Sequence, residues 1–229
     1  MLTWLDVNDP FPDVAQAITE PNGLLAAGGD LSVDRLVAAY KRGIFPWYSE
    51  GQPILWWSPD PRMVLLPGEF KTSRSLAKTI RQEDFQITAD TAFRQVVDGC
   101  RAPRDGQPGT WITQDIADAY CALHQVGVAH SVEAWREGVL VGGLYGVALG
   151  RAFFGESMFA QVANASKVAF AALAYQLQQW QFGIIDCQMS TRHLASFGAK
   201  EIARGEFTRR LSELIHYPPP PVPWRLAPM

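Results

Sequence analysis

Between Ala152 and Gln188 the period of the apolar positions changes twice. Ala152-Phe153-Phe154 is a short apolar run; Phe170, Leu173, Leu177 and Trp180 then recur at helical spacing; and Ile184-Ile185 opens a β-branched run that turns polar at Asp186-Cys187-Gln188. Apolar residues three and four apart make one stripe on a helix, whereas β-branched residues favour the pleated surface of a strand. The pattern predicts strand, connection, helix and strand, with Asn164 or Ser166 capping the helix. Side chains alternate along a strand, so Asp186 and Gln188 are expected on one face and Ile185 and Cys187 on the other. A carboxylate beside a carboxamide at a strand end is the first chemical signal.

Upstream, the chain to Arg62 is loop-rich with one expected helix, capped by Ser32, carrying Leu36, Val37 and Tyr40 on its apolar face and ended by Gly43. Prolines interrupt Ile44 to Tyr48 and Leu55 to Arg62, so Trp47, Trp56 and Trp57 sit on rigid turns. Trp56 and Trp57 suit a small aromatic core, and Trp47 suits that core or a stacking platform. From Met63 to Leu66 a strand is expected. Ser73 then caps a helix that turns Leu76, Ala77 and Ile80 inward and Arg74, Lys78 and Arg81 outward, a row that is either a solvated face or a track for phosphates. A helix over Phe93 to Cys100, a Pro- and Gly-rich loop from Ala102 to Gly109 and a helix capped by Thr113 follow. The alternating stretch 131–136, the turn at Glu137-Gly138, the strand 139–148 and the run at 152 predict an antiparallel meander. Beyond Gln188 come a short helix over Arg192 to Phe197 stopped by Gly198, a strand or loop to Phe207, a helix from Thr208 to Ile215, and an extended Pro-rich tail expected as a spacer. The expected class is α+β: a small aromatic and Pro-rich domain over 1–62, then a domain over 63–229 with a mixed, mainly antiparallel sheet flanked by helices.

Composition narrows the function. The 229 residues, 48% hydrophobic and 19% charged, are enough to bury a substantial core, and no apolar run approaches the roughly 20 residues of a membrane span. With no basic-then-apolar leader at the start, a cytoplasmic protein is expected. Cys100, Cys121 and Cys187 make no CxxC pair and leave one over, which argues against a disulfide framework or a zinc knuckle. A net charge of −3 means that any contact with RNA depends on a local basic patch.

The order of meander, helix, strand and short helix resembles the N-acetyltransferase-like (GNAT-like) acyltransferase fold. Those enzymes hold the CoA pyrophosphate on a Gly-rich turn before the central helix, yet Ser157 to Asn164 contains no glycine, so CoA is not expected as donor. Further motifs are more specific: Pro21-Asn22-Gly23-Leu24-Leu25-Ala26, Gly28-Gly29-Asp30-Leu31-Ser32, Gly43-Ile44-Phe45-Pro46-Trp47, Trp56-Trp57-Ser58-Pro59-Asp60-Pro61-Arg62, Gly109-Thr110-Trp111-Ile112, Gly155-Glu156-Ser157-Met158-Phe159, Asn164-Ala165-Ser166-Lys167 and Ile185-Asp186-Cys187-Gln188. In this order they resemble the leucyl/phenylalanyl-tRNA–protein transferases. The resemblance implies a cytoplasmic enzyme that moves Leu or Phe, and Met weakly, from aminoacyl-tRNA to the α-amine of proteins beginning with Arg or Lys, marking them for degradation. It also implies a small N-terminal domain joined to a GNAT-like domain, with no metal; no cofactor and no membrane association are expected either, and a monomer is expected.

On that reading Asp186 and Gln188 align and polarise the reactants, with Glu156 on the acceptor side. Leu144, Phe153, Met158, Phe170, Leu173, Leu177 and Ile185 line a pocket for the donor side chain. Trp47 and Trp111 stack on the terminal adenosine, while Arg74, Lys78 and Arg81 meet acceptor-stem phosphates. An aminoacyl ester is already activated, so alignment and charge stabilisation suffice. Two other classes remain open: a cell-wall-building aminoacyl transferase of similar fold, and a non-catalytic tRNA- or peptide-binding module. A cysteine hydrolase on Cys187 and His193 is the weakest reading, since alternation turns Cys187 away from Asp186.

Overall fold

The computed structural model describes residues 2–82, 84–102 and 110–227, so most of the expected loop from Ala102 to Gly109 lies outside the described residues. In chain order the elements are β1 (Thr3–Leu5), β2 (Leu24–Gly28), α1 (Val33–Tyr40), β3 (Phe45–Pro46), β4 (Leu55–Trp57), β5 (Arg62–Leu65), α2 (Arg74–Arg81), β6 (Gln86–Ala89), α3 (Phe93–Arg101), α4 (Gln114–Gln125), β7 (Ala129–Arg136), β8 (Val139–Leu149), β9 (Ala152–Ala160), α5 (Ala165–Gln179), β10 (Ile184–Gln188), α6 (Arg192–Ser196), β11 (Lys200–Ile202) and α7 (Arg204–Leu214). Single-turn 3-10 helices lie at Val14–Gln16 and Pro67–Glu69.

Two sheets result. The first has the order β1-β2-β4-β3, and the second β11-β5-β10-β9-β8-β7-β6, antiparallel throughout except for the parallel pair β9 and β10. That parallel pair is joined through α5, since parallel strands need a crossover. The expected α+β class with a mixed, mainly antiparallel sheet is what forms. Alternate strand residues feed two buried clusters: Phe153 and Ile185 join α5, whereas Tyr145, Phe154 and Ile184 join α3, α4 and the residues of the first sheet. A single apolar cluster therefore spans both sheets.

Several expectations need correction. The first segment is not merely loops and one helix, because β1, β2 and β4 pair there and bury Trp56 completely. Central helix α5 is buried nearly all round rather than along one stripe, with Ala165, Ala169, Ala172 and Ala174 letting strands approach closely. The strand answers in kind: a Cβ at Gly142 of β8 would lie 2.5 Å from that of Ala165, so only glycine fits. The last helix begins at Arg204, four residues before Thr208, because its first amide donates to Asp60 Oδ1 at 3.0 Å, a cap distant in sequence. The tail is no spacer. Trp224 is 2% exposed, stacks on His130 at 3.8 Å, and donates its backbone N–H to Asp90 Oδ2 at 3.1 Å.

Candidate functional site

At the end of β10 the chain leaves regular alternation. Asp186 pairs with Val64 and Gln188 with Met63, so Cys187 is an extra residue against β5, and Gln188 adopts φ +56°. The Gln188 amide donates to Asp186 Oδ1 at 3.0 Å, which holds the turn. Gln188 consequently faces the same cavity as Ile185 and Cys187, contrary to strict alternation.

That cavity, about 360 Å³, lies between β8, β9, β10 and the helices α5 and α6. Leu144, Phe153, Met158, Phe170, Leu173 and Ile185 form its apolar wall, and Tyr145, Glu156, Ser157, Gln188, Thr191 and His193 its polar side. Leu177, expected in the wall, is fully buried below it in the α5 core. Its place follows from the helix turning a further face into the sheet.

Among the described residues, Glu156 is the carboxylate that borders the cavity. Tyr40 Oη from α1 donates to its Oε1 at 2.6 Å, Tyr120 Oη from α4 donates to its Oε2 at 2.7 Å, and the two hydroxyls touch each other. Gln188 Nε2 approaches Oε1 at 3.4 Å. Burial pushes the Glu156 carboxyl up from 4.5 to about 7, against the pull of both tyrosines, and the nearby Asp186 charge adds to the rise. Burial likewise drives both tyrosine hydroxyls well above their ordinary value, so they remain donors. Tyr145 Oη, also buried, has no hydrogen-bond partner among the described residues.

Asp186 does not face the cavity, which corrects its expected contact with the incoming amine. Its side chain is 0% exposed and receives both Nε and Nη2 of Arg62, at 2.8 and 2.6 Å. The guanidinium lies between the rings of Phe45 and Phe207, 4.8 and 4.6 Å from their centroids. A buried carboxylate bound bidentately has its lone pairs committed. It can shape the strand end but cannot reach a substrate. Cys187 borders the cavity, yet burial pushes its thiol far up, which removes the thiolate a cysteine hydrolase needs.

The expected nucleic-acid residues lie elsewhere. Trp47 is 37% exposed and packs edge-on against Trp57 at 5.4 Å, Trp111 is half-buried against the first core cluster, and neither lines the cavity. Arg74, Lys78 and Arg81 are all exposed on α2. What the sequence reading missed is the tyrosine pair and Arg62. Tyr40 and Tyr120 looked like apolar helix positions, and nothing local announces that residues 80 apart share one carboxylate; Arg62 carried a signal only as the end of its Pro-rich motif.

Comparison with known proteins identifies the family. Residues 64–212 match the family described as leucyl/phenylalanyl-tRNA protein transferase, and residues 29–60 match the N-terminal domain of the same transferase. A leucyl/phenylalanyl-tRNA–protein transferase of Nitrosomonas europaea is 60% identical over 218 residues, 95% of this chain and 92% of that one. Those of an Azoarcus species and of Pseudomonas aeruginosa are 58% and 59% identical, covering 98% and 96% of this chain and 95% and 97% of theirs. The chain belongs to the leucyl/phenylalanyl-tRNA protein transferase family.

Proposed function

We propose that the protein moves a leucyl or phenylalanyl group from aminoacyl-tRNA to the α-amine of a protein beginning with Arg or Lys, and that the apolar cavity takes the donor side chain. The observation that carries the reading is one cavity whose apolar wall of Leu144, Phe153, Met158, Phe170, Leu173 and Ile185 meets a held carboxylate, Glu156, on its polar side. Family membership supports it. An unbranched Cβ with bulk further out suits such a wall, and shape discriminates by only about 1 to 3 kcal/mol per methylene, so Met is a weaker donor than Leu or Phe.

In the reaction the amine nitrogen bonds to the ester carbonyl, the C–O bond to the tRNA 3′ end breaks, and the amine's proton finishes on the departing oxygen. A carboxyl poised near 7 is ionised by an approaching cation and accepts the proton of an attacking amine. Glu156 therefore takes the acceptor and base roles, and Gln188 donates toward the carbonyl oxygen as it gains charge. Asp186 acts as a positioning residue through the turn it holds. Trp47 and Trp111 are offered to the terminal adenosine, and Arg74, Lys78 and Arg81 to acceptor-stem phosphates.

The test mixes the protein with labelled leucyl-tRNA and peptides differing only in the first residue. Transfer is expected to peptides starting with Arg or Lys and to no others. Transfer to a muropeptide amine, or tight binding without turnover, would refute the reading. Equal use of Val, Ile, Leu and Phe donors would refute the pocket.

A further inference from the structure

Beside the donor cavity lies a second one of about 400 Å³, and the two share Met158 and His193 as a common wall. Its other side is the start of α5. Asn164 occupies the cap position with φ +69°, and its side chain does not cap the helix; it donates instead to Thr79 Oγ1 on α2 at 3.3 Å. The first bond of the ladder runs from Val168 N to Asn164 O, so the amides of Ser166 and Lys167 precede it, as the first amides of a helix do. Ser166 is nine-tenths buried and lines this cavity, and among the described residues its hydroxyl has no partner. Gln161 adds a carboxamide, and Lys167 stands close enough that, after partial burial, it lowers the His193 imidazole. No carboxylate among the described residues lines the space.

We infer that this cavity is a phosphate subsite, where the amides and hydroxyl at the start of α5 hold the phosphodiester immediately preceding the aminoacylated nucleoside of the donor RNA. A helix N-terminus of 15 residues carries partial positive charge and outward-facing amides, which suits an anion and repels the cationic acceptor. The Ser166 hydroxyl, which opens into this cavity without a protein partner among the described residues, can donate to a ligand there. The Asn164–Thr79 bond also ties this end of α5 to the helix bearing Arg74, Lys78 and Arg81, so one RNA strand leaving the cavity meets the subsite before that row. The inference rests on the donor reading of the neighbouring cavity.

Three non-hydrolysable probes test it: 3′-leucylamino-3′-deoxyadenosine, the same nucleoside joined through its 5′ phosphodiester to cytidine, and that dinucleotide without the leucyl group. For the unaltered protein at low salt, the phosphodiester improves leucyl-probe binding by about tenfold, a modest return for charge-assisted bonds. Ser166→Asp puts a carboxylate in the first turn, where it favours the helix, so Tm should hold while the gain falls to about twofold or less. Binding of the nucleoside itself should not change. Lys167→Gln, which leaves the helix end intact, should lower the gain and flatten its salt dependence. No gain in the unaltered protein, or an undiminished gain in Ser166→Asp with Tm preserved, overturns the subsite. A leucyl-free dinucleotide that binds as tightly as the leucyl one refutes the donor cavity instead, and a phosphodiester gain lost in Ser166→Asp would still support the subsite.

Discussion

Replacing Glu156 by Gln removes a carboxyl whose titration the fold has moved into the neutral range. In the folded protein it sits at about 7 against an ordinary 4.5, raised by burial although Tyr40 and Tyr120 both donate to it. A folded value above the unfolded one means that the group's contribution to stability is fully present below about 4.5 and is lost as pH rises through about 7. At 1.36 kcal/mol per pKa unit, holding this carboxylate charged above pH 7 costs as much as about 3 kcal/mol. Gln does not titrate, and its amide keeps one oxygen for a tyrosine hydroxyl. The difference in unfolding free energy, Glu156→Gln minus unaltered protein, should therefore grow by up to about 3 kcal/mol between pH 4.5 and pH 8, which for a chain of this size is roughly 6 to 12 °C in Tm. Denaturant unfolding at several pH values measures it, with leucyl transfer followed in parallel. Transfer should collapse in the variant while stability at pH 8 rises. A stability difference that stays constant across pH would refute the reasoning, because it would mean that Glu156 is not charged against its surroundings.

Tyr120→Phe removes one of the two donors that restrain this rise, so the acidic limb of kcat/KM should move upward by about 1 to 2 pH units, the equivalent of one hydrogen bond to a charged group; a uniform loss of activity with an unmoved limb would refute it. Asp186→Asn leaves Arg62 without its anion and weakens the turn at Gln188, so a loss of about 3 kcal/mol or more in stability should accompany a lower kcat; normal unfolding would contradict the buried ion pair. Trp224→Ala should cost about 3 kcal/mol and expose the tail to limited proteolysis, since it removes a buried ring stacked on His130. Changing Arg74, Lys78 and Arg81 together to Ala should raise KM for aminoacyl-tRNA and flatten its salt dependence; an unchanged slope would mean a merely solvated helix face.

Much of the architecture was written in local signals. Ser32, Ser73, Thr113 and Thr191 accept bonds from the third amide of their helices. The meander followed from alternation and the turn at Glu137-Gly138, and six of the seven residues expected in the donor pocket line a single cavity. Such signals reach across one turn or one strand, so a chain carries them openly. What only the tertiary structure decided depends on groups far apart in sequence. Asp186 and Arg62 meet across 124 positions, and that bond moves the aspartate from the cavity into the core. Tyr40, Tyr120 and Glu156 converge from two helices and a strand. The bulge at Cys187 brings Gln188 to the cavity face beside Ile185 and Cys187, because alternation holds only while every residue has a partner across the ladder. Asp60 starts the last helix early, and Trp224 finds a cleft beside His130 that exists only once β6, β7 and α4 have assembled. Periodicity states which face a residue occupies; only the assembled fold states what that face meets.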